Sequence, residues 1–172
     1  NPKGDKIGFI YADETGVNIY EMNPDGTGRK AISDLKEGDL EGFSYSPDGT
    51  KVVYVRAVSK QDKYAKLKEG LDKTTGRIND DLAYRHWDNW VDAIPQPFIA
   101  SFDGEKIGEG KNILENTEFE SPMRPWGGME QIAWSPDSKS IAYTCRKKVG
   151  KDYAFSTNSD IYLYDITTGT HT

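Results

Sequence analysis

The stretch YSPDGTKVVYVR, Tyr45 to Arg56, returns later in the same chain as WSPDSKSIAYTCR, Trp134 to Arg146. A fainter echo, NPKGDKIGFIYA, opens it at Asn1 to Ala12. Internal repeats decide architecture before any other signal does. The copies align on a turn: Asn1-Pro2-Lys3-Gly4, Ser46-Pro47-Asp48-Gly49 and Ser135-Pro136-Asp137-Ser138. Proline presets φ, aspartate bonds its own backbone, and the final glycine accepts a positive φ. Ser138 replaces that glycine, which weakens the third turn. After each turn comes an alternating apolar stretch, and before the second and third stand GFSY and QIAW. Strand, turn, strand is a hairpin with a mechanism.

Each hairpin is followed by a further strand and a second turn, in VNIYEMNPDG, PFIASFDGEKIGEGKNIL and SDIYLYDITTG. A four-stranded unit of about 40–45 residues is a propeller blade. The chain therefore reads as all-β, a partial β-propeller of TolB/WD40-like four-stranded blades, about three of them present. Asn1 and Ser46 lie 45 positions apart, whereas Ser46 and Ser135 lie 89 apart. The doubled interval points to an insertion, because no third turn of this kind falls inside it. The expected division is a blade over 1–40, a blade over 41–118 carrying an irregular or partly helical insertion over 59–96, and a blade over 128–172. A β-sandwich is the alternative, but sandwiches rarely repeat one turn tetrapeptide in register. Closed propellers have about four to eight blades, so this is an arc of a longer ring. Strand edges at its two ends are expected to be sticky, so that the piece either pairs edges between chains or comes from a larger folded protein.

Composition narrows the function. Lys plus Arg is 22 and Asp plus Glu is 28, for a net charge of −6. No basic cluster stands out, which argues against a nucleic-acid partner. No apolar run approaches the roughly 18 residues of a membrane span. A single cysteine, Cys145, gives no disulfide framework and falls on a predicted core strand.

The insertion is the segment richest in chemistry. Its first half is polar and lysine-rich, with helical spacing at Tyr64, Leu67 and Leu71. Its second half packs Tyr84, Arg85, His86, Trp87, Asp88, Trp90 and Asp92 into nine positions. Rigid aromatics with arginine are the composition of binding surfaces; a structural belt filling gaps between blades is the other reading. A second excursion, SPMRPWGG, joins the second and third blades and carries Arg124 and Trp126. Loops entering a blade's first strand lie near the central channel, so these two are candidate channel-mouth residues. The candidate substrate-binding set is Arg85, His86, Trp87, Asp88, Trp90, Arg124 and Trp126.

No catalytic constellation is legible. The only histidines are His86 and His171, and there is no G-x-S-x-G elbow. Neither zinc nor calcium ligand spacing occurs, and no phosphate-cradling glycine loop. No catalytic residue, metal or cofactor is expected in this chain.

The motifs YRHWDNWVD, PWGGMEQIAWSPDSKSIAYT and STNSDIYLYDITTG, in that order, resemble the acylaminoacyl-peptidase and dipeptidyl-peptidase 5 branch of the prolyl-oligopeptidase-family serine peptidases. The blade turns alone are equally similar to TolB-type propellers. The peptidase resemblance implies a propeller that caps a C-terminal α/β-hydrolase domain of the same polypeptide and filters short peptides by size. It implies a serine triad beyond Thr172 and a periplasmic or secreted location. After YRHWDNWVD the sequence departs from the branch's usual Gly-Lys-Arg type turn, with Ala93-Ile94-Pro95-Gln96 in its place. The rival expectation is a TolB-like binding module for a protein or cell-envelope partner.

Overall fold

Three hairpin turns of one kind set out three antiparallel sheets in chain order. The computed structural model describes residues 1–14, 16–35, 39–59, 70, 73–76, 78 and 85–172. The first sheet holds β1 (Ile7–Asp13), β2 (Gly16–Met22) and β3 (Lys30–Ala31). The second begins with β4 (Leu40–Tyr45) and β5 (Lys51–Ser59). After a separate hairpin, β6 (Arg85–His86) and β7 (Asn89–Trp90), it continues with β8 (Ala93–Ser101) and β9 (Lys111–Asn112). The third holds β10 (Ile132–Trp134), β11 (Ser140–Cys145) and β12 (Asp160–Asp165). A short helix, α1 (Asp152–Phe155), lies between its last two strands.

The turns are equivalent in detail. Gly4, Gly49 and Ser138 each donate their N–H to the residue three before, at 3.0, 2.9 and 2.9 Å. Their φ angles are 73°, 69° and 59°. Ser138 thus takes the left-handed conformation that glycine takes in the other two copies. Ser46 and Ser135 accept the N–H of Lys51 and Ser140 on their hydroxyls, both at 2.9 Å. Asn1 does the same for Lys6 with its amide oxygen.

Equivalence extends into the sheets. Phe9 lies opposite Tyr20, Tyr54 opposite Phe98, and Tyr143 opposite Tyr162. Ring centroids in these pairs are 6.0, 5.4 and 5.7 Å apart. Each sheet is therefore pinned in register by one cross-strand aromatic pair between corresponding strands.

The core explains the stacking. On β5, Val52 and Tyr54 pack with Ile19 and Ile32 of the first blade. The alternate residues Val53 and Val55 pack with Ile132, Ile141 and Tyr143 of the third. The period of two along the strand delivers residues to both faces, and burying each such side chain is worth about 1.5–3 kcal/mol. A sandwich of two layers buries one face per sheet; here the middle sheet is buried on both, as in a propeller. First strands add polar ties to the preceding blade. Tyr45 donates its hydroxyl to Glu21 Oε1 at 2.7 Å, and Trp134 donates Nε1–H to the Ser44 carbonyl at 3.3 Å.

The first sheet holds three strands, beginning at the position β5 occupies in the second. In the third sheet a fourth-strand pairing begins at the end of the chain. Tyr164 bridges His171, and Leu163 and Thr172 exchange both backbone hydrogen bonds. β8 starts at Ala93, so Ala93 to Gln96, read from the sequence as the end of the insertion, are strand residues. The helical spacing at Tyr64, Leu67 and Leu71 lies outside the described residues, as does Tyr84.

Candidate functional site

Pro95 and Pro97 decide what lies against the start of β8. Within a strand the N–H and C=O of one residue point the same way, and proline has no N–H to give. The carbonyls of Pro95 and Pro97 accept the N–H groups of Ser121 and Ile113, both at 3.0 Å. The side of β8 away from β5 thus offers acceptors at these two positions, and the connection between the second and third blades brings the donors.

Gln96, fully buried between the two prolines, ties the same connection down. Its amide nitrogen donates to the Phe119 carbonyl at 2.9 Å and the Thr117 carbonyl at 3.2 Å. Its oxygen accepts from Asn112 Nδ2 at 2.7 Å. Farther along, Arg124 Nη1 donates to the Ala93 carbonyl at 3.0 Å, and its Nη2 stands 3.4 Å from Glu41 Oε1. That ion pair is one-third exposed, so water screens it; its service is to hold position. The connection from Ile113 to Arg124 therefore runs antiparallel along β8, against the strand's first residues.

Its end brings two excursions together. β6 and β7 form a hairpin in which Arg85 faces Trp90 and His86 faces Asn89, with Trp87 and Asp88 as the turn. Trp87 has φ 52°, in the left-handed region that favours glycine. Its ring meets Trp126, from the connection, edge to face with centroids 5.2 Å apart. The two rings are 70% and 79% exposed. A bulky residue in such a conformation, with its ring in water, is the kind of local strain that gathers at ligand clamps.

Of the seven residues singled out from the sequence, the structure joins Trp87 to Trp126 and sets Arg124 two positions before the latter. Asp88 is exposed in the turn and Trp90 is partly exposed on β7. Arg85 and His86 are placed by backbone register alone. The sequence reading gave Gln96, Pro95 and Pro97 no part in the site, although Pro-Gln-Pro is a visible signal: alternate prolines leave alternate acceptors on one side of a strand.

Elsewhere the ionisable groups are structural. Cys145 is buried between the second and third sheets, and burial pushes its thiol up to about 11. His171 Nδ1 pairs with the Tyr143 hydroxyl at 2.8 Å, and burial lowers its pKa. A cavity of about 490 Å³ between the first two blades is lined by Tyr54, Arg56, Asp34 and Glu109. Among the described residues no group of three or more His, Cys, Asp or Glu could hold a metal, and no helix is long and apolar enough to cross a membrane.

No protein-family model matches the chain. It is 41% identical over 169 residues to dipeptidyl-peptidase 5 of Porphyromonas endodontalis, covering 98% of this chain and 24% of that protein. Against dipeptidyl-peptidase 5 of Porphyromonas gingivalis the identity is 47% over 132 residues, covering 77% and 19%. Among solved structures, the acylaminoacyl peptidase of Pyrococcus horikoshii superposes with a TM-score of 0.57 at 16% identity, over 99% of this chain and 23% of that one. A TolB-type protein of Agrobacterium tumefaciens gives 0.51 at 13%, over 100% and 46%. The chain spans about a fifth to a quarter of the length of the curated relatives it matches. The propeller fold and the resemblance to the acylaminoacyl-peptidase and dipeptidyl-peptidase 5 branch are borne out.

Proposed function

We propose, from the kinship of this chain with a quarter-length stretch of dipeptidyl-peptidase 5, that it serves as the substrate-admitting part of a serine peptidase's propeller. In this reading a C-terminal α/β-hydrolase domain of the same polypeptide carries out the covalent steps. The propeller admits short peptides, excludes folded proteins and keeps bulk water from the reacting bond. The parent protein works outside the cytoplasm, in the periplasm or beyond. Arg85, His86, Trp87, Asp88, Trp90, Arg124 and Trp126 border the cavity between the two domains.

The observation that carries the reading is the exposed Trp87–Trp126 pair, assembled from two separate excursions and held by Gln96 and Arg124. Aromatic side chains give large contact area at small entropic cost, which suits them to gripping a peptide. The test uses the full-length peptidase. Trp87→Gly fits the turn's positive φ and removes only the ring; Trp126→Ala removes the other. Each should raise KM for short peptides about tenfold, the equivalent of roughly 1.4 kcal/mol of binding, with the melting temperature not lowered. Unaltered peptide kinetics in both folded variants would take the pair out of the site. A coding sequence that continues past Thr172 with more blades and no hydrolase domain would favour the TolB-like binding module instead.

A further inference from the structure

The internal repeat allows the two junctions between blades to be matched position by position. Ile32 and Ile113 donate their N–H groups to the corresponding carbonyls of Ile19 and Pro97. The residues that follow them out of the first and second sheets, Ser33 and Leu114, are therefore equivalent. Arg56 and Cys145 are equivalent too, each two positions past the paired tyrosine of its strand, Tyr54 or Tyr143. Lys111 lies opposite Ile99, and Thr172 exchanges backbone bonds with Leu163. The residues just before them, Gly110 and His171, thus form a third matched pair.

Between the second and third blades all three places are filled. Leu114 and Cys145 are buried, and the His171 ring reaches the Tyr143 hydroxyl at 2.8 Å. Between the first and second blades stand a serine, an arginine and a glycine, and these three line the cavity of about 490 Å³. Glycine is required at position 110, because a Cβ there would collide with the Tyr54 hydroxyl. Arg56 lies over the Phe98 ring, 5.6 Å from its centroid, and its Nε is buried without a hydrogen-bond partner. A buried donor without an acceptor is a cost that packing does not explain, since a cysteine serves at the same place one blade on.

The charges around the cavity are of both signs. Arg56 is half-buried, whereas Asp34 and Glu109 are exposed. A guanidinium pairs with a carboxylate through two parallel bonds, and carboxylates attract an ammonium. The volume falls among those of small-molecule pockets, about 300–1,000 Å³. We propose that this cavity binds a small zwitterion, its carboxylate on Arg56 and its ammonium toward Glu109 and Asp34. Free amino acids and dipeptides carry that pair of charges. The site is independent of the peptidase reading, and none of its residues belongs to the tryptophan site.

Isothermal titration calorimetry on the full-length protein tests it, with leucine and glycyl-leucine as probes. At least one should bind saturably, with a Kd of about 1 mM or tighter, and the tighter of the two tells amino acid from dipeptide. Acetylating the amine of the better probe, or amidating its carboxylate, should each weaken binding about tenfold or more. Arg56→Met removes the cation together with a donor that has no acceptor, so the fold is spared. It should weaken the better probe about tenfold with the far-UV circular dichroism intact. Glu109→Gln, at an exposed position, serves if that variant unfolds; it should weaken the probe severalfold and leave its acetylated form unaffected. Absence of binding by both probes overturns the proposal. So does an affinity that survives Arg56→Met or Glu109→Gln, which would put the zwitterion elsewhere, and so does an amidated probe that binds as tightly as its parent.

Discussion

Ser138 Oγ accepts the backbone N–H of Asp48 at 3.0 Å across ninety positions of sequence, joining the turn of one blade to the turn of the next. Ser138 is buried and holds φ 59°. A glycine would relax that backbone but could not take the bond. The side chain is retained where two requirements conflict.

The conflict fixes an order of stabilities. Ser138→Ala keeps the left-handed strain and loses the acceptor, at a cost of about 0.5–1.5 kcal/mol for the lost bond. Ser138→Gly loses the same bond but recovers about 1–2 kcal/mol of strain. Urea titrations should therefore rank the Gly variant above the Ala variant, by the strain that glycine alone relieves. An alanine variant as stable as wild type would show that the bridge contributes nothing.

The Tyr45–Glu21 bond should behave as a charged bond between blades. Tyr45→Phe leaves the buried Glu21 carboxylate without its donor and should cost about 1.5–3 kcal/mol. Glu21→Gln keeps an acceptor oxygen in place and should cost much less. Equal losses in the two variants would assign the effect to packing.

Gln96 links stability to the tryptophan pair. Gln96→Leu preserves volume but strips partners from the Thr117 and Phe119 carbonyls and from Asn112, so the loss should exceed about 3 kcal/mol. Near-ultraviolet circular dichroism should lose the signal of coupled tryptophans, as Trp126→Ala does directly. A stable Leu variant with an unchanged tryptophan spectrum would detach the anchor from the site.

His171 should make the last pairing of the chain sensitive to acid. Its pKa in the folded chain lies below the ordinary value of 6.5 because burial disfavours the imidazolium. The neutral ring's contribution is present above the unfolded pKa and fades as pH falls below it. Hydrogen exchange at the Leu163 and Thr172 amides, corrected for intrinsic rates, should quicken below pH about 6.5 and much less in His171→Gln. An identical acid response in both proteins would point to another group.

Much of the architecture was legible because it rests on local chemistry. A Pro-Asp-Gly turn dictates its hairpin wherever it occurs, and alternation along Val52 to Val55 announces two buried faces. Ser138 was legible as a departure; its bond to Asp48 was not, since nothing local specifies a partner ninety positions away. The cluster around Trp87 stood out by composition, and the Pro-Gly excursion by its turn residues. Their meeting did not, because it depends on how the connection is tied along β8, through Gln96 and two carbonyls that no periodicity reveals. Ala93 to Gln96 looked like loop because prolines interrupt the strand pattern, yet β5 supplies the partner on the side where no donor is missing.

The paired prolines also guard against misassembly. A stray strand arriving at that margin of β8, from a neighbouring molecule or a slipped copy of the chain, would meet carbonyls at Pro95 and Pro97 with no amide hydrogens to complete a ladder. An ordinary extended intruder wastes its own acceptors there. Only a segment contributing hydrogens at the matching places, as Ile113 and Ser121 do, can settle, so the margin admits its own connection and discourages swapping.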